Sequence, residues 1–368
     1  MKVAVIGAGI VGLSTANWLK RYGQDVTLFD REDPGSQASF GNAGTYAKYA
    51  NIPTNSSSFF YLFPYLLLNK NSPLFFKRGK FIQSLPWLMQ YLSNCRQSKV
   101  TDTSNKLTTL LSLVDEGYED LFNDADIENL ISRESIFYVW SNKLFYNSAR
   151  KDFETREKTG VKIEIISKNE INDVEPNINN IFYKGALFKG SYFAKNPKKI
   201  SEKLLQLFIE KGGNFKKEKI EEIKILDTNK VNIHTNENTY IYDRIVLCAG
   251  VWSKKLTDKL GENIPLASER GYHLMYPHPE NSISRPIAWQ ERGVYFTPMQ
   301  DGLRAGGVVE LGGNSNEISS KVVSYLKRAT EAVFPNINNH LSEWVGFRPS
   351  VPDSLPVIGQ SKKNPYIY

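Results

Sequence analysis

Apolar and polar positions repeat with two different periods along this chain, and the changes of period mark its organisation. Lys2–Ile6 and Asp25–Phe29 are short apolar runs, the pattern of buried parallel strands. The stretch between them is helical, with small Ala16 on its inner face and Gly23 as its stop. From about 50 to 160 the pattern turns mainly helical, and Leu107, Leu110, Leu111, Val114, Tyr118, Leu121 and Phe122 fall on one face. Ile136–Trp140 and residues 181–188 predict strands of a second lobe. Pro197 opens a helix through Leu204, Leu205, Phe208 and Ile209, which Gly212-Gly213 closes. Strand runs follow at 215–225, 231–234 and 240–248. A second antiparallel set is predicted at 271–276, 286–290, 294–298 and 303–310, with Asp301-Gly302 as a hairpin turn. A helix over 318–334 and a strand over 344–347 complete the series.

The junction of the first strand and helix carries chemistry. It reads Gly7-Ala8-Gly9-Ile10-Val11-Gly12, and the second strand ends in Asp30. Gly7 permits the sharp turn, Gly9 a close approach of backbone to a pyrophosphate, and Gly12 close packing of helix on strand. The free N–H groups at the helix start favour phosphate, and Asp30 stands where a carboxylate accepts from ribose hydroxyls. This is a dinucleotide-binding βαβ unit. A nicotinamide domain continues from here into another helix and parallel strand. This chain continues instead with the loop 31–44, containing Ser39-Phe40-Gly41-Asn42-Ala43-Gly44. The loop reads either as ordinary surface chain or as backbone and a Ser39 hydroxyl laid along a pyrophosphate towards a flavin ring. Arg31 is either a partner of the adenosine phosphates or a solvated cation. The apolar strand ending at Cys248-Ala249-Gly250-Val251-Trp252-Ser253 reads as a return to the nucleotide sheet.

The 368 residues suffice for two interleaved lobes. A net charge of +7 is scattered, and no basic face carries interleaved aromatics, which argues against nucleic acid as a partner. Cys95 and Cys248 carry no motif and imply a reduced, cytoplasmic setting. His234, His273, His278 and His340 lack metal-ligand spacing. The nucleotide strand opens the sequence and leaves no room for a signal peptide. The run 59–68, with Phe75, Phe76, Phe81, Leu85, Trp87, Leu88 and Met89, is too short to span a bilayer and is broken by Pro64. It reads as a buried helical cap. Lys77, Arg78 and Lys80 among these aromatics leave a peripheral contact with the inner face of the cytoplasmic membrane open.

The sequence resembles the FAD-dependent amine and D-amino-acid oxidoreductases, most closely the bacterial D-amino-acid dehydrogenases. The carriers are Gly7–Gly12 with Asp30, the loop Ser39–Gly44, the run Cys248–Ser253, Glu269-Arg270-Gly271-Tyr272-His273, and Gly346-Phe347-Arg348-Pro349 leading to Pro352-Asp353-Ser354-Leu355-Pro356-Val357-Ile358-Gly359. The resemblance implies an α/β fold with an α+β second lobe: a discontinuous Rossmann-like FAD-binding domain (1–50, 190–265 and 348–368) with an inserted antiparallel-sheet substrate domain (51–189 and 266–347). It implies non-covalent FAD held by Gly7, Gly9, Ile10, Val11, Gly12, Asp30, Arg31, Ser39, Asn42, Ala43, Gly44, Ile220, Ala249, Gly250 and Trp252. In such proteins the last strand leads into a glycine- and histidine-rich turn and a helix. The present sequence stops at Tyr368, so a missing C-terminal part of the FAD domain is expected.

The activity implied is oxidation of an amino acid, D-configured, at its α-carbon. The amine must be neutral, hydride passes to FAD, and the imine hydrolyses to a 2-oxo acid and ammonia. Arg348 is implied as the bidentate partner of the substrate carboxylate, a task for a planar guanidinium; the alternative is a structural arginine bonding loop carbonyls beside Pro349. Tyr272 and His273 read either as further substrate contacts or as ordinary strand residues, with Tyr295 as a weaker candidate. Two alternatives stay open: a secondary amine such as D-proline, hydroxyproline or sarcosine (or glycine) as substrate, and a flavin-deficient relic serving as a binding subunit. The electron acceptor (oxygen or a membrane quinone) and the oligomeric state have no signature in the sequence.

Overall fold

The computed structural model describes residues 1–69, 71–77, 79–278, 283–313 and 315–368. Arg78 of the basic cluster lies outside them, as do the side chains of Tyr61, Leu62 and Leu68 in the apolar run.

Four parallel strands form the nucleotide sheet, in the order Asn214–Lys216, Asp25–Phe29, Lys2–Ile6, Arg244–Leu247. Its central strands are apolar on both faces because helices Ile10–Arg21 and Pro197–Glu210 cover one side and a three-stranded antiparallel sheet covers the other (Ile220–Ile225, Val231–Thr235, Thr239–Tyr242). Two runs that read as single strands, 215–225 and 240–248, are each divided between these two sheets. Residues 366–368 lie parallel to Arg244–Leu247, with the N–H of Leu247 donating to the Tyr368 carbonyl at 2.8 Å.

The second lobe is a nine-stranded sheet. Its main order is Ser342–Ser350, Ala267–Tyr276, Gly302–Leu311, Val294–Met299, Ile287–Trp289, Ile136–Trp140, Lys184–Phe188, Ile163–Ser167, and Leu74–Phe76 joins beside Gly302–Leu311. All pairs are antiparallel except those of Ile287–Trp289 with Ile136–Trp140 and of Leu74–Phe76 with Gly302–Leu311. Helix Ser320–Val333 buries Val322, Leu326, Ala329 and Val333 against one face, at the spacing of a helical stripe. The architecture is mixed α/β, as the sequence pattern implied.

The expected helical cap consists of Ser57–Leu68, with Pro64 inside it, and Phe81–Ser93. It is buried on one side only. Phe59, Leu66, Trp87, Leu88 and Tyr91 face the large cavity, whereas Phe60, Tyr65, Ile82 and Met89 are exposed. The single stripe expected from Leu107 to Phe122 is two helices, Gln97–Leu111 and Val114–Asp124. Among the described residues no helix is long and apolar enough to cross a membrane.

Candidate active site

The glycine turn is as tight as its spacing required. A Cβ on Gly12 would stand 1.7 Å from the carbonyl oxygen of Gly7, so only glycine lets the helix meet the strand there. Gly7 has φ +108° and abuts the backbone of Cys248 and Ala249, which joins the two returning parts of the nucleotide sheet. Gly9 leaves its helix end without a side-chain cap of its own. The Ser39 hydroxyl serves instead, accepting from the Ile10 N–H at 2.9 Å, and Val11 is exposed beside it. Asp30 closes the cradle. Its carboxylate accepts from the N–H groups of Ala8 (2.6 Å) and Glu32 (3.0 Å). Burial raises its pKa against those donors.

Arg31 lies over the ring of Trp252 at 4.4 Å and pairs with Glu32. Trp252 in turn meets Phe347 edge-on at 5.8 Å, which ties the cradle to the strand that carries Arg348. Gly250 takes φ +55° with open space where a Cβ would point. Ile220 is half-buried in the cluster that also holds Phe29 and Ala249. The bare glycines, the first turn capped only by the hydroxyl of a neighbouring loop and the acid at the strand end fit the diphosphate and ribose of an adenine dinucleotide.

The loop 40–43 is held by its carbonyls. Arg304 donates to Phe40 at 2.8 Å and to Asn42 at 2.7 Å. The Thr297 hydroxyl donates to Ala43 at 3.0 Å. Nδ1 of His273 lies 3.2 Å from the Gly41 carbonyl. A carbonyl only accepts, so Nδ1 carries the ring proton. Burial, with Arg304 nearby, pushes His273 down to about 3. Four consecutive carbonyls therefore turn towards the large sheet. Asn42 itself caps the loop, its Oδ1 accepting from Gly44 N–H at 2.7 Å, and Gly44 has φ +70°.

A cavity of about 610 Å³ lies between this loop, the helical cap and the large sheet. Gly271, Gly306, Gly307 and Gly346 line it on the sheet side. A Cβ on Gly271 would come within 2.7 Å of the Arg348 guanidinium, so that bare position makes room for the arginine. Arg348 donates to the carbonyl of Val308 at 2.7 Å. Val308 has φ +53°, a strained conformation for a β-branched residue, beside a bulge between Arg270 and Tyr272. The charged residues on the wall are Glu269, Arg304 and Arg348, and Tyr295 and Thr297 add hydroxyls. Burial lowers the Arg348 pKa while Glu269 and Tyr295 raise it. Burial raises that of Glu269 while Arg348 and Ser350 lower it.

The sequence matches the family described as DAO, FAD dependent oxidoreductase, over residues 2–368. The chain belongs to this family. FAD is therefore its cofactor class, and the glycine cradle above is chemically suited to it. A D-amino-acid oxidase of Bradyrhizobium diazoefficiens is 28% identical across 98% of this chain and 87% of its own length. Among solved structures, glycine oxidase from Geobacillus kaustophilus superposes with TM-score 0.76 at 16% identity, covering 99% of this chain and 87% of that one. The L-proline dehydrogenase from P. horikoshii gives 0.74 at 16% identity, covering 100% and 86%. The fold of this FAD-dependent oxidoreductase is thus that of amino-acid and amine oxidoreductases.

Of the three residues expected at the substrate, the structure brings only Arg348 to the cavity. Tyr272 lies elsewhere. It faces the opposite side of its strand, where its hydroxyl donates to Glu310, itself paired with Arg270. His273 shares the cavity-side alternation but is covered by Trp344, stacked at 4.9 Å, and spends its N–H on Gly41. Reading the run Glu269–His273 by strand alternation would have excluded Tyr272 and admitted Glu269. Nothing in the sequence points to Arg304 or Thr297, because their partners are backbone carbonyls more than 250 residues away in the chain.

Proposed function

We propose that this chain oxidises an amino acid, D-configured, at its α-carbon, and releases an imine that hydrolyses to a 2-oxo acid and ammonia. The observation that carries this reading is a half-buried guanidinium, Arg348, set over a bare glycine at the wall of a cavity bounded by the clamped loop. The relative named D-amino-acid oxidase supports the substrate class. FAD, when bound, supplies the hydride acceptor. Gly7, Gly9, Gly12 and the first-turn N–H groups of Val11 and, once it exchanges the Ser39 hydroxyl for a phosphate oxygen, Ile10 would hold its diphosphate, and Asp30 its ribose. Arg31 and Trp252, Ile220, and Ala249 with Gly250 would flank the adenosine side, and Ser39, Asn42, Ala43 and Gly44 the ring side.

The chain's own residues bind and orient. Arg348 fixes the α-carboxylate through parallel N–H donors. The aromatic wall of Phe59, Trp87 and Tyr91 excludes water from the side-chain end. Orientation of this kind lowers a barrier by roughly 7–11 kcal/mol without an acid–base triad. The proposed division assigns 1–50, 190–265 and 348–368 to cofactor binding and the remainder to substrate, with strand Ser342–Ser350 running across the boundary. The exposed apolar side chains of the helical cap, near Lys77 and Lys80, support a peripheral membrane contact through which a quinone is reached.

Anaerobic addition of D-amino acids to the flavin-loaded protein is expected to bleach the flavin, and L-amino acids are not. Bleaching by sarcosine or D-proline alone moves the substrate to the secondary amines. A protein that never retains flavin is the binding subunit instead. Arg348→Lys is expected to raise KM about 30–100-fold, the loss of one charged hydrogen bond and the fork geometry, with an unaltered flavin spectrum. An unchanged KM refutes the clamp.

A further inference from the structure

A site that accepts an amino acid must hold two opposite charges, and Arg348 answers only one of them. Glu269 stands directly across the strand pair from Arg348 in antiparallel register. Directly opposed residues project to the same face with Cβ atoms about 4.5–5.5 Å apart, and both of these side chains line the cavity. Arg348 turns to the carbonyls of Val308 and Gly307, and the nearby Glu269 favours its charged form. The wall around them is apolar: Phe59, Leu66, Leu88 and Tyr91. The cavity thus presents a cationic and an anionic group on the same face of adjacent strands, the two charges that an α-amino acid calls for.

Resting on the function proposed above, we infer that Glu269 binds the substrate's α-ammonium group and takes one proton from it before oxidation. In that step an N–H bond of the ammonium breaks and an O–H bond forms on the Glu269 carboxylate. The nitrogen keeps the electron pair, so the products are a neutral amine and a neutral carboxyl. No electrons change hands. The apolar surroundings favour the transfer, because it turns an ion pair into two uncharged groups. Burial already pushes Glu269 towards its protonated form, in the same direction. A distal cation on a longer substrate is a poorer fit, because the register puts the carboxylate of Glu269 beside the guanidinium and not at the far end of the cavity.

The test compares two ligands that bind without reacting: α-aminoisobutyrate, a zwitterion with no Cα–H, and isobutyrate, its counterpart without the amine and so without an imine to form. Binding to flavin-loaded wild type and Glu269→Gln is followed by calorimetry. The variant is expected to bind the zwitterion about tenfold more weakly, on the scale of one charged hydrogen bond, and isobutyrate as tightly as wild type or more so. Glu269→Asp, which keeps the charge, is expected to retain the preference for the zwitterion. Equal losses for both ligands, or no change for either, overturn the assignment. In anaerobic flavin reduction by D-alanine, the Glu269→Gln rate is expected to be at least tenfold down at pH 7 and to recover near pH 10, where the free amine is neutral in solution. A variant profile parallel to wild type overturns the proton step. Failure of wild type to be reduced by any amino acid counts against the proposed function, while the binding comparison judges Glu269 independently.

Discussion

Replacing Arg304 by methionine separates the stability of the fold from the placement of its flavin-facing loop. The guanidinium donates two charge-assisted hydrogen bonds, to Phe40 and Asn42, and lies 5.3 Å from the Phe40 ring. Two such bonds are worth ~1.5 kcal/mol each at the low end, appropriate to a loop that water can reach, and the ring contact adds ~0.5 kcal/mol. Against this stands desolvation. Burial pushes the guanidinium down to about 10, which corresponds to ~3 kcal/mol. The two sums nearly cancel, so thermal unfolding of the flavin-free protein is expected to change by less than ~1 kcal/mol. The loop, however, loses two of its four carbonyl anchors. Ordering it on binding then costs ~1–2 kcal/mol, a fall of about 5–30-fold in FAD affinity. Titration of flavin-free protein with FAD, read by fluorescence quenching, measures this directly, and Arg304→Lys is expected to lie between the two. An FAD affinity within twofold of wild type would refute the reasoning. So would a stability loss of several kcal/mol, which would make the arginine a general support of the fold.

Tyr272→Phe removes a donor from the buried Glu310 carboxylate and is expected to destabilise the protein by ~1–3 kcal/mol in chemical denaturation, with substrate KM unchanged. A raised KM with normal stability would return the tyrosine to the substrate. His273 is held well below the histidine range, so the unfolded chain binds its proton first as pH falls. The stability it contributes is therefore complete above about pH 6.5 and declines between there and about pH 3, by up to ~1.4 kcal/mol per pH unit. Unfolding of His273→Gln across pH 4–7 is expected to lack that component, and identical slopes would show that the imidazole titrates freely.

The parts legible in the sequence were those written locally. The glycine turn, its acid at Asp30 and the apolar strands of the parallel sheet depend on neighbours within thirty residues. The place of Arg348 on the cavity wall agrees with the run around it. The division of residues 215–225 and 240–248 between two sheets was not legible, because the breaks at 217–219 and 243 carry no glycine or proline to mark them. Tyr272 misled because an aromatic next to a histidine draws attention, whereas pleat geometry sends adjacent side chains to opposite faces. Glu269 drew no attention for the converse reason: a lone acid reads as solvated until the strand Ser342–Ser350 sets Arg348 against it. The carbonyl clamp leaves no trace in sequence, since its acceptors are backbone.

The parallel nucleotide sheet has a temporal consequence. Its first two strands leave the ribosome within thirty residues, but the strands that flank them are Asn214–Lys216 and Arg244–Leu247. At translation speeds of about 5–20 residues per second, the glycine turn waits roughly 10–40 s for the edges that bury it. Throughout that interval two apolar strands are exposed with unfilled edges, and a chaperone or early cofactor capture has its opportunity there, before the second lobe closes over the loop.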